Sequence, residues 1–189
     1  MEQRFYDAVE GNPVIAAVKD ETGLEAALSS EDIQVLFILY GDVLSISGIV
    51  ERAKEAGKLV LVHMDLINGL SAKEIAADYI CYQTKADGII TTRPAMIKRA
   101  KELGLYTVMR FFIIDSMALS NIHKQYASVR PDFIEVLPGV MPKIIRRICR
   151  ESRIPIIAGG LIMDKEDVVS ALDAGAISVS TTNRDVWFM

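Results

Sequence analysis

Three observations predict an α/β fold, a compact eight-stranded parallel (β/α)8 TIM barrel forming a single domain over residues 1–189. Eight short β-branched runs alternate with stretches of helical periodicity, and the runs are apolar on both faces. Several helical stretches also stop at a glycine directly before the next run, at Gly57, Gly104 and Gly175, where a left-handed residue closes the last turn. The segment Gln3–Val9 leads in and is expected to cover the bottom of the barrel. The strands follow in order: Pro13–Lys19, Val35–Gly41, Lys58–Asp65, Ala86–Thr92, Leu105–Phe112, Pro131–Leu137, Ile154–Gly160 and Ala176–Thr182. Between them, helices are expected at Ser47–Ala56, Ala72–Tyr82, Pro94–Leu103, Ser116–Tyr126, Pro142–Glu151 and Lys165–Ala174. Only Asn183–Met189 remains after the eighth strand, so the last helix is truncated to a turn or two. Eight βα units in 189 residues leave short loops and little material for a lid over a ligand.

Composition narrows the class. Half of the residues are apolar (51%) and there is no long Gly, Pro or Ser tract, which argues against a disordered or collagen-like chain. The longest apolar stretches fall far short of the ~18–20 residues that cross a bilayer, so no membrane partner is expected. The first residues lack the apolar run and small-residue cleavage site of a signal peptide. Cys81 and Cys149 stand far apart without CxxC spacing, which reads as cytoplasmic free thiols. The net charge of -4 is unevenly spread: residues 1–84 carry 6 Lys/Arg and 14 Asp/Glu, residues 85–153 carry 13 and 6, and residues 154–189 carry 2 and 5. A basic middle of this kind suits an anionic partner, unless folding scatters the charges.

Strand parity locates a candidate site. Side chains alternate, and the set that packs against helices must be apolar. With Val60, Val62 and Met64 outward, His63 and Asp65 turn inward; with Ile134 and Val136 outward, Glu135 turns inward. By the same argument Lys19, Arg110, Thr91, Ser178, Ser180 and Thr182 point into the barrel. Most lie at the carboxyl ends of their strands, where barrels of this kind bind ligands. A single such residue serves equally well as a satisfied core polar, and a lone His63 is more often that. The convergent set from six strands favours a site.

The glycine pair Gly159-Gly160 closes the seventh strand, and Ser178-Val179-Ser180-Thr181-Thr182-Asn183 closes the eighth. Loops at this place commonly cradle a phosphate: glycine admits close backbone approach, free N–H groups point at the anion, and hydroxyls complete the shell. Gly159, Gly160, Ser180 and Thr181 are therefore candidates for the phosphate. Lys19, Asp65, Arg110 and Glu135 are candidates for the other end of a small phosphorylated polyol, sugar or acid. A tight turn and a helix cap would use the same residues. No metal or other cofactor is expected.

A further candidate surface is the helix Pro142–Glu151. Lys143, Arg146, Arg147 and Arg150 fall on one stripe, while Ile144, Ile145 and Ile148 face the barrel. Such a stripe is ordinarily a solvated helix face, yet it also suits a phosphate backbone. Arg153, Lys98, Arg99 and Lys101 are nearby cations in the sequence. No RNP aromatics, GXXG loop or zinc-finger spacing accompanies them.

Six segments together resemble the glycerol uptake operon antiterminator regulatory proteins: His63–Leu70 (HMDLINGL), Gly88–Thr92 (GIITT), Phe111–Leu119 (FFIIDSMAL), Glu135–Ile145 (EVLPGVMPKII), Ile156–Ile162 (IIAGGLI) and Val179–Thr182 (VSTT). The resemblance covers essentially the whole chain. It implies a cytoplasmic TIM-barrel regulator, not an enzyme, which senses glycerol 3-phosphate and acts on the leader mRNA of glycerol-utilisation genes to prevent premature transcription termination, with oligomerisation possible. It places glycerol 3-phosphate, or a similar small phosphate ester, on the residues named above, whereas the RNA assignment rests on charge alone. The competing readings are a phosphosugar isomerase, epimerase or lyase, with Asp65 and Glu135 as acid and base or Lys19 as imine former, and a metal-dependent phosphodiesterase using His63, Asp65 and Glu135.

Overall fold

The computed structural model describes residues 2–189; Met1, the first residue of the expected domain, lies outside them. The elements run α1 (Glu2–Gly11), β1 (Val14–Val18), α2 (Glu21–Leu28), β2 (Val35–Ile38), α3 (Ile46–Glu55), β3 (Leu59–His63), α4 (Ile75–Gln83), β4 (Gly88–Thr91), α5 (Pro94–Glu102), β5 (Tyr106–Phe112), α6 (Ser116–Val129), β6 (Phe133–Leu137), α7 (Pro142–Glu151), β7 (Ile156–Gly159), α8 (Lys165–Asp173), β8 (Ser178–Thr181) and α9 (Arg184–Trp187). The eight strands are parallel and close into a barrel in sequence order, with β1 pairing both β2 and β8. The expected (β/α)8 architecture is therefore present, down to a last helix of one turn.

The barrel is filled in layers. Following the ladder pairs and stepping up one residue per strand groups the inward side chains in fours from alternate strands. Above Leu59 and Tyr106 at the strand starts, these are Val35, Gly88, Phe133 and Ser178; then Ile15, Leu61, Val108 and Ile157; then Phe37, Ile90, Glu135 and Ser180; and at the top Ala17, His63, Arg110 and Gly159. The second layer is wholly aliphatic and seals the interior from above. Below it, Phe5 of α1 is fully buried and stacks on Phe133 at a centroid distance of 4.2 Å, so the leading segment plugs the barrel bottom. Gly88 has to be glycine, because a Cβ there would stand 2.5 Å from the Tyr106 carbonyl oxygen.

Two parts of the strand map differ from the sequence reading. The third strand stops at His63, and Met64–Leu66 form a 3-10 turn in place of a strand reaching Asp65. Thr91 does not project into the barrel: Ile90 belongs to the interior cluster, so Thr91 lies on the opposite parity. Its hydroxyl donates to the carboxylate of Asp65 at 2.9 Å. Both half-buried cysteines are free thiols, and burial pushes the Cys149 thiol up. No helix among the described residues is long and apolar enough to cross a membrane.

Candidate functional site

A cavity of about 770 Å³ opens at the carboxyl ends of β5, β6, β7, β8 and β1. Its floor is a buried polar cluster. Glu135 is completely buried; its Oε2 accepts from Nε of Arg110 at 2.5 Å, and its Oε1 accepts from the Ser180 hydroxyl at 2.5 Å. Register explains the meeting: Arg110 pairs with Glu135 across β5 and β6, and Ser180 shares the Glu135 layer. Arg110 is 8% exposed. Among the described residues Glu135 is the only hydrogen-bond partner of its side chain, through Nε, so both Nη groups are left for a ligand.

Gly159 makes that cluster fit. A Cβ there would meet Glu135 Oε1 and Ser180 Oγ, each at 2.6 Å, so the glycine supplies room for a carboxylate rather than backbone flexibility. Gly159→Ala is expected to destabilise the fold by about 1–3 kcal/mol by overpacking. Urea denaturation measures it, and an unchanged midpoint would mean that the cluster has slack.

The next two residues leave the sheet. Gly160 (φ +74) and Leu161 (φ +61) are both left-handed, and the turn is pinned where Gly139 N–H donates to the Gly160 carbonyl at 2.9 Å. Among the described residues, the N–H groups of Gly160, Leu161 and Thr182 have no acceptor, and all three residues line the cavity. Thr181 works behind this rim. Its hydroxyl donates to the Ile162 carbonyl at 2.8 Å and accepts from Asn183 N–H at 3.0 Å, tying the β7 and β8 loops together. The Asn183 side chain adds a bond to the Met163 carbonyl, and the Trp187 indole N–H caps the Thr181 carbonyl.

The candidate residues thus divide. Lys19, Arg110, Glu135, Gly160, Ser180 and Thr181 line one cavity, with Gly159 beneath it. Asp65 does not line it. Its carboxylate accepts from the Thr91 hydroxyl, the Thr92 N–H and hydroxyl, and Arg93 Nη1, all at 2.8–2.9 Å, and so clasps the loops after β3 and β4. Burial pushes the Asp65 carboxyl up, but these bonds and the Arg93 charge outweigh it and hold the group below the ordinary carboxylate range. Three charged cavity residues escaped the sequence reading, Asp20, Arg184 and Asp185. Asp20 is the N-cap of α2, a helix the sequence reading did not list, and accepts from Gly23 N–H. Arg184 is the first cation after the Ser/Thr run, a signal visible in the sequence.

His63 sits in the top layer with Arg110. Burial, reinforced by the Arg110 charge, pushes its imidazole down to about 4, so it is neutral at pH 7. Among the described residues, no group of three His, Cys, Asp or Glu side chains is placed to hold a metal ion.

On α7, Lys143, Arg146, Arg147 and Arg150 are all exposed while Ile145 and Ile148 are buried, as the periodicity predicts. Only Arg147 of the four has an ion-pair partner among the described residues, Glu151. The cations of α5 are different. Arg99 pairs with Asp78 and Glu102, and Lys101 with Asp132, which leaves Lys98 as the solvated one.

Fold and cavity together define a (β/α)8 barrel of the class that carries a ligand site at the carboxyl ends of its strands. Residues 14–187 match the model of the glycerol-3-phosphate responsive antiterminators, and the chain belongs to that family. It is 47% identical over 176 residues to the uncharacterized protein YgcP of Escherichia coli (strain K12), covering 93% of this chain and 92% of that protein. The crystal structure of a glycerol uptake operon antiterminator regulatory protein from Listeria monocytogenes superposes with a TM-score of 0.90 at 35% identity, covering 94% of this chain and 95% of that one. An antiterminator-related protein from Thermotoga maritima gives 0.80 at 34% identity, covering 93% and 98%.

Proposed function

We propose that this protein is a non-catalytic sensor that binds glycerol 3-phosphate in the barrel mouth and, in response, acts on the leader mRNA of glycerol-utilisation genes as an antiterminator in the cytoplasm. The observation that carries the ligand is the pairing of unpartnered N–H groups at Gly160, Leu161 and Thr182 with a buried Arg110–Glu135 floor in one cavity. An anion on those N–H groups gains several hydrogen bonds without displacing an internal partner. Ser180, Lys19 and Arg184 surround the same space. Glu135 and the free Nη groups of Arg110 suit the hydroxyls of a three-carbon polyol. Gly159 and Thr181 support the phosphate end indirectly, one by making room and the other by bracing the loop; Asp65 does the same for the loops after β3 and β4.

The two carboxylates offer little proton-transfer chemistry. Glu135 is committed to Arg110 and Ser180, and Asp65 accepts four hydrogen bonds and is held ionised, which suits neither for a general base. No lysine lies on β6. The family supports the RNA partner, and the exposed stripe of α7 is the surface we assign to it.

Glycerol 3-phosphate at a hundredfold excess over its Kd is expected to stabilise the fold by about 2.7 kcal/mol, read as a raised melting temperature. It is also expected to change the gel-shift affinity for a candidate leader transcript, with no turnover by NMR. No thermal shift, or conversion of the ester, would overturn the sensor reading.

A further inference from the structure

We propose that His63 is a ligand-contacting residue, taking a hydroxyl of the bound polyol phosphate on its Nδ1 and so distinguishing polyol esters from bare phosphate. The inference rests on the sensor reading above and extends the site to β3, a strand that contributes nothing to the cavity lining.

Three inward polar groups of the barrel, His63 Nδ1, Ser178 Oγ and Tyr106 Oη, are buried with no hydrogen-bond partner among the described residues. Their layers separate them. Ser178 and, one step further down, Tyr106 lie beneath the aliphatic layer of Ile15, Leu61, Val108 and Ile157, where no ligand entering from the mouth reaches them. His63 lies in the uppermost layer, the one that contains Arg110. Its other two members, Ala17 and Gly159, carry almost no side chain, and Gly159 stands across the barrel from His63. The Arg110 guanidinium leans to Glu135 on β6. The imidazole is thus, with Arg110, one of the two large side chains of this layer, which rests on Phe37, Ile90, Glu135 and Ser180 below.

His63 is only 3% exposed, so solvent does not satisfy Nδ1. An unmade bond at a buried polar atom costs about 1–3 kcal/mol. A ligand hydroxyl arriving on this layer recovers it, while inorganic phosphate on the β7 and β8 loops does not reach that far. A neutral imidazole can accept from a hydroxyl or donate to one, according to tautomer. The charged groups around it are Arg110, Asp65 and Arg93. None of them hydrogen-bonds the ring among the described residues, and the only other polar group acting on it is the backbone of His63 itself, so no neighbouring side chain engages the orphan nitrogen.

Calorimetric titration of the native chain, His63→Leu and His63→Asn with sn-glycerol 3-phosphate, propyl phosphate and inorganic phosphate tests this. His63→Leu is expected to weaken glycerol 3-phosphate about 5- to 100-fold while leaving propyl phosphate and phosphate within about twofold. His63→Asn, which keeps a donor and an acceptor on a shorter arm, is expected to recover part of the loss; it carries the comparison should the leucine variant not fold. Equal weakening of all three ligands, or unchanged binding of glycerol 3-phosphate, overturns the assignment and leaves the sensor intact. If the native chain prefers none of the three, the sensor reading fails and this contact falls with it.

Discussion

Arg110→Ala is expected to destabilise the fold by about 3–5 kcal/mol, the loss that follows when one partner of a buried ion pair is removed and the other remains. Glu135 is completely enclosed and would keep only the Ser180 hydroxyl. A carboxylate without its counterion then has to sit in the barrel. Urea denaturation of the variant reads the loss directly. The double variant Arg110→Met, Glu135→Leu separates the pair's net contribution from the cost of breaking it. It is expected to lie within about 1 kcal/mol of the native stability, since apolar side chains of similar volume commonly replace such pairs at little cost. Both variants are expected to lose binding of glycerol 3-phosphate. A single variant as stable as the native chain would show that the pair is open in solution.

Replacing Lys143, Arg146, Arg147 and Arg150 together by alanine is expected to weaken leader-transcript binding by about 10²–10³-fold at 0.1 M salt, because each cation on a phosphate releases about 0.7 of a counterion from a single strand. The slope of log affinity against log salt should fall by about 3 for the same reason. Ligand binding and melting temperature should change little, as the four side chains are exposed and the helix is held by Ile145 and Ile148. Alanine also favours the helix, which offsets the lost Arg147–Glu151 pair. Transcript affinity that survives all four substitutions would return α7 to an ordinary solvated face and move the RNA surface elsewhere on the barrel.

The fold was legible because it is written in local terms. Alternating strands and helices, the helix-closing glycines and a short tail after the eighth strand each follow from a few neighbouring residues, and the closed barrel follows from their number. Parity carried part of the site as well: Glu135, Arg110, Ser180 and His63 stand inward because their neighbours Ile134, Val136, Met109, Val179 and Val62 must face helices. It failed at two strand ends. Asp65 leaves the ladder for a 3-10 turn, and Thr91, still within β4, faces outward because Ile90 holds the inner side. In both cases the side chains bond to each other across two strand ends, a contact that spacing along one strand does not reveal.

The sequence by itself determined the βα periodicity, the polar character of the strand ends and the amphipathic basic helix, all of which are periodic properties of a single segment. Only the tertiary structure decided which of those polar residues share a space. The one-residue climb per strand brings β3, β5 and β7 to one level, so that Gly159 makes room for a carboxylate from β6 and faces a histidine from β3. That stagger is a property of the closed ring, set by all eight strands at once, and no single segment contains it.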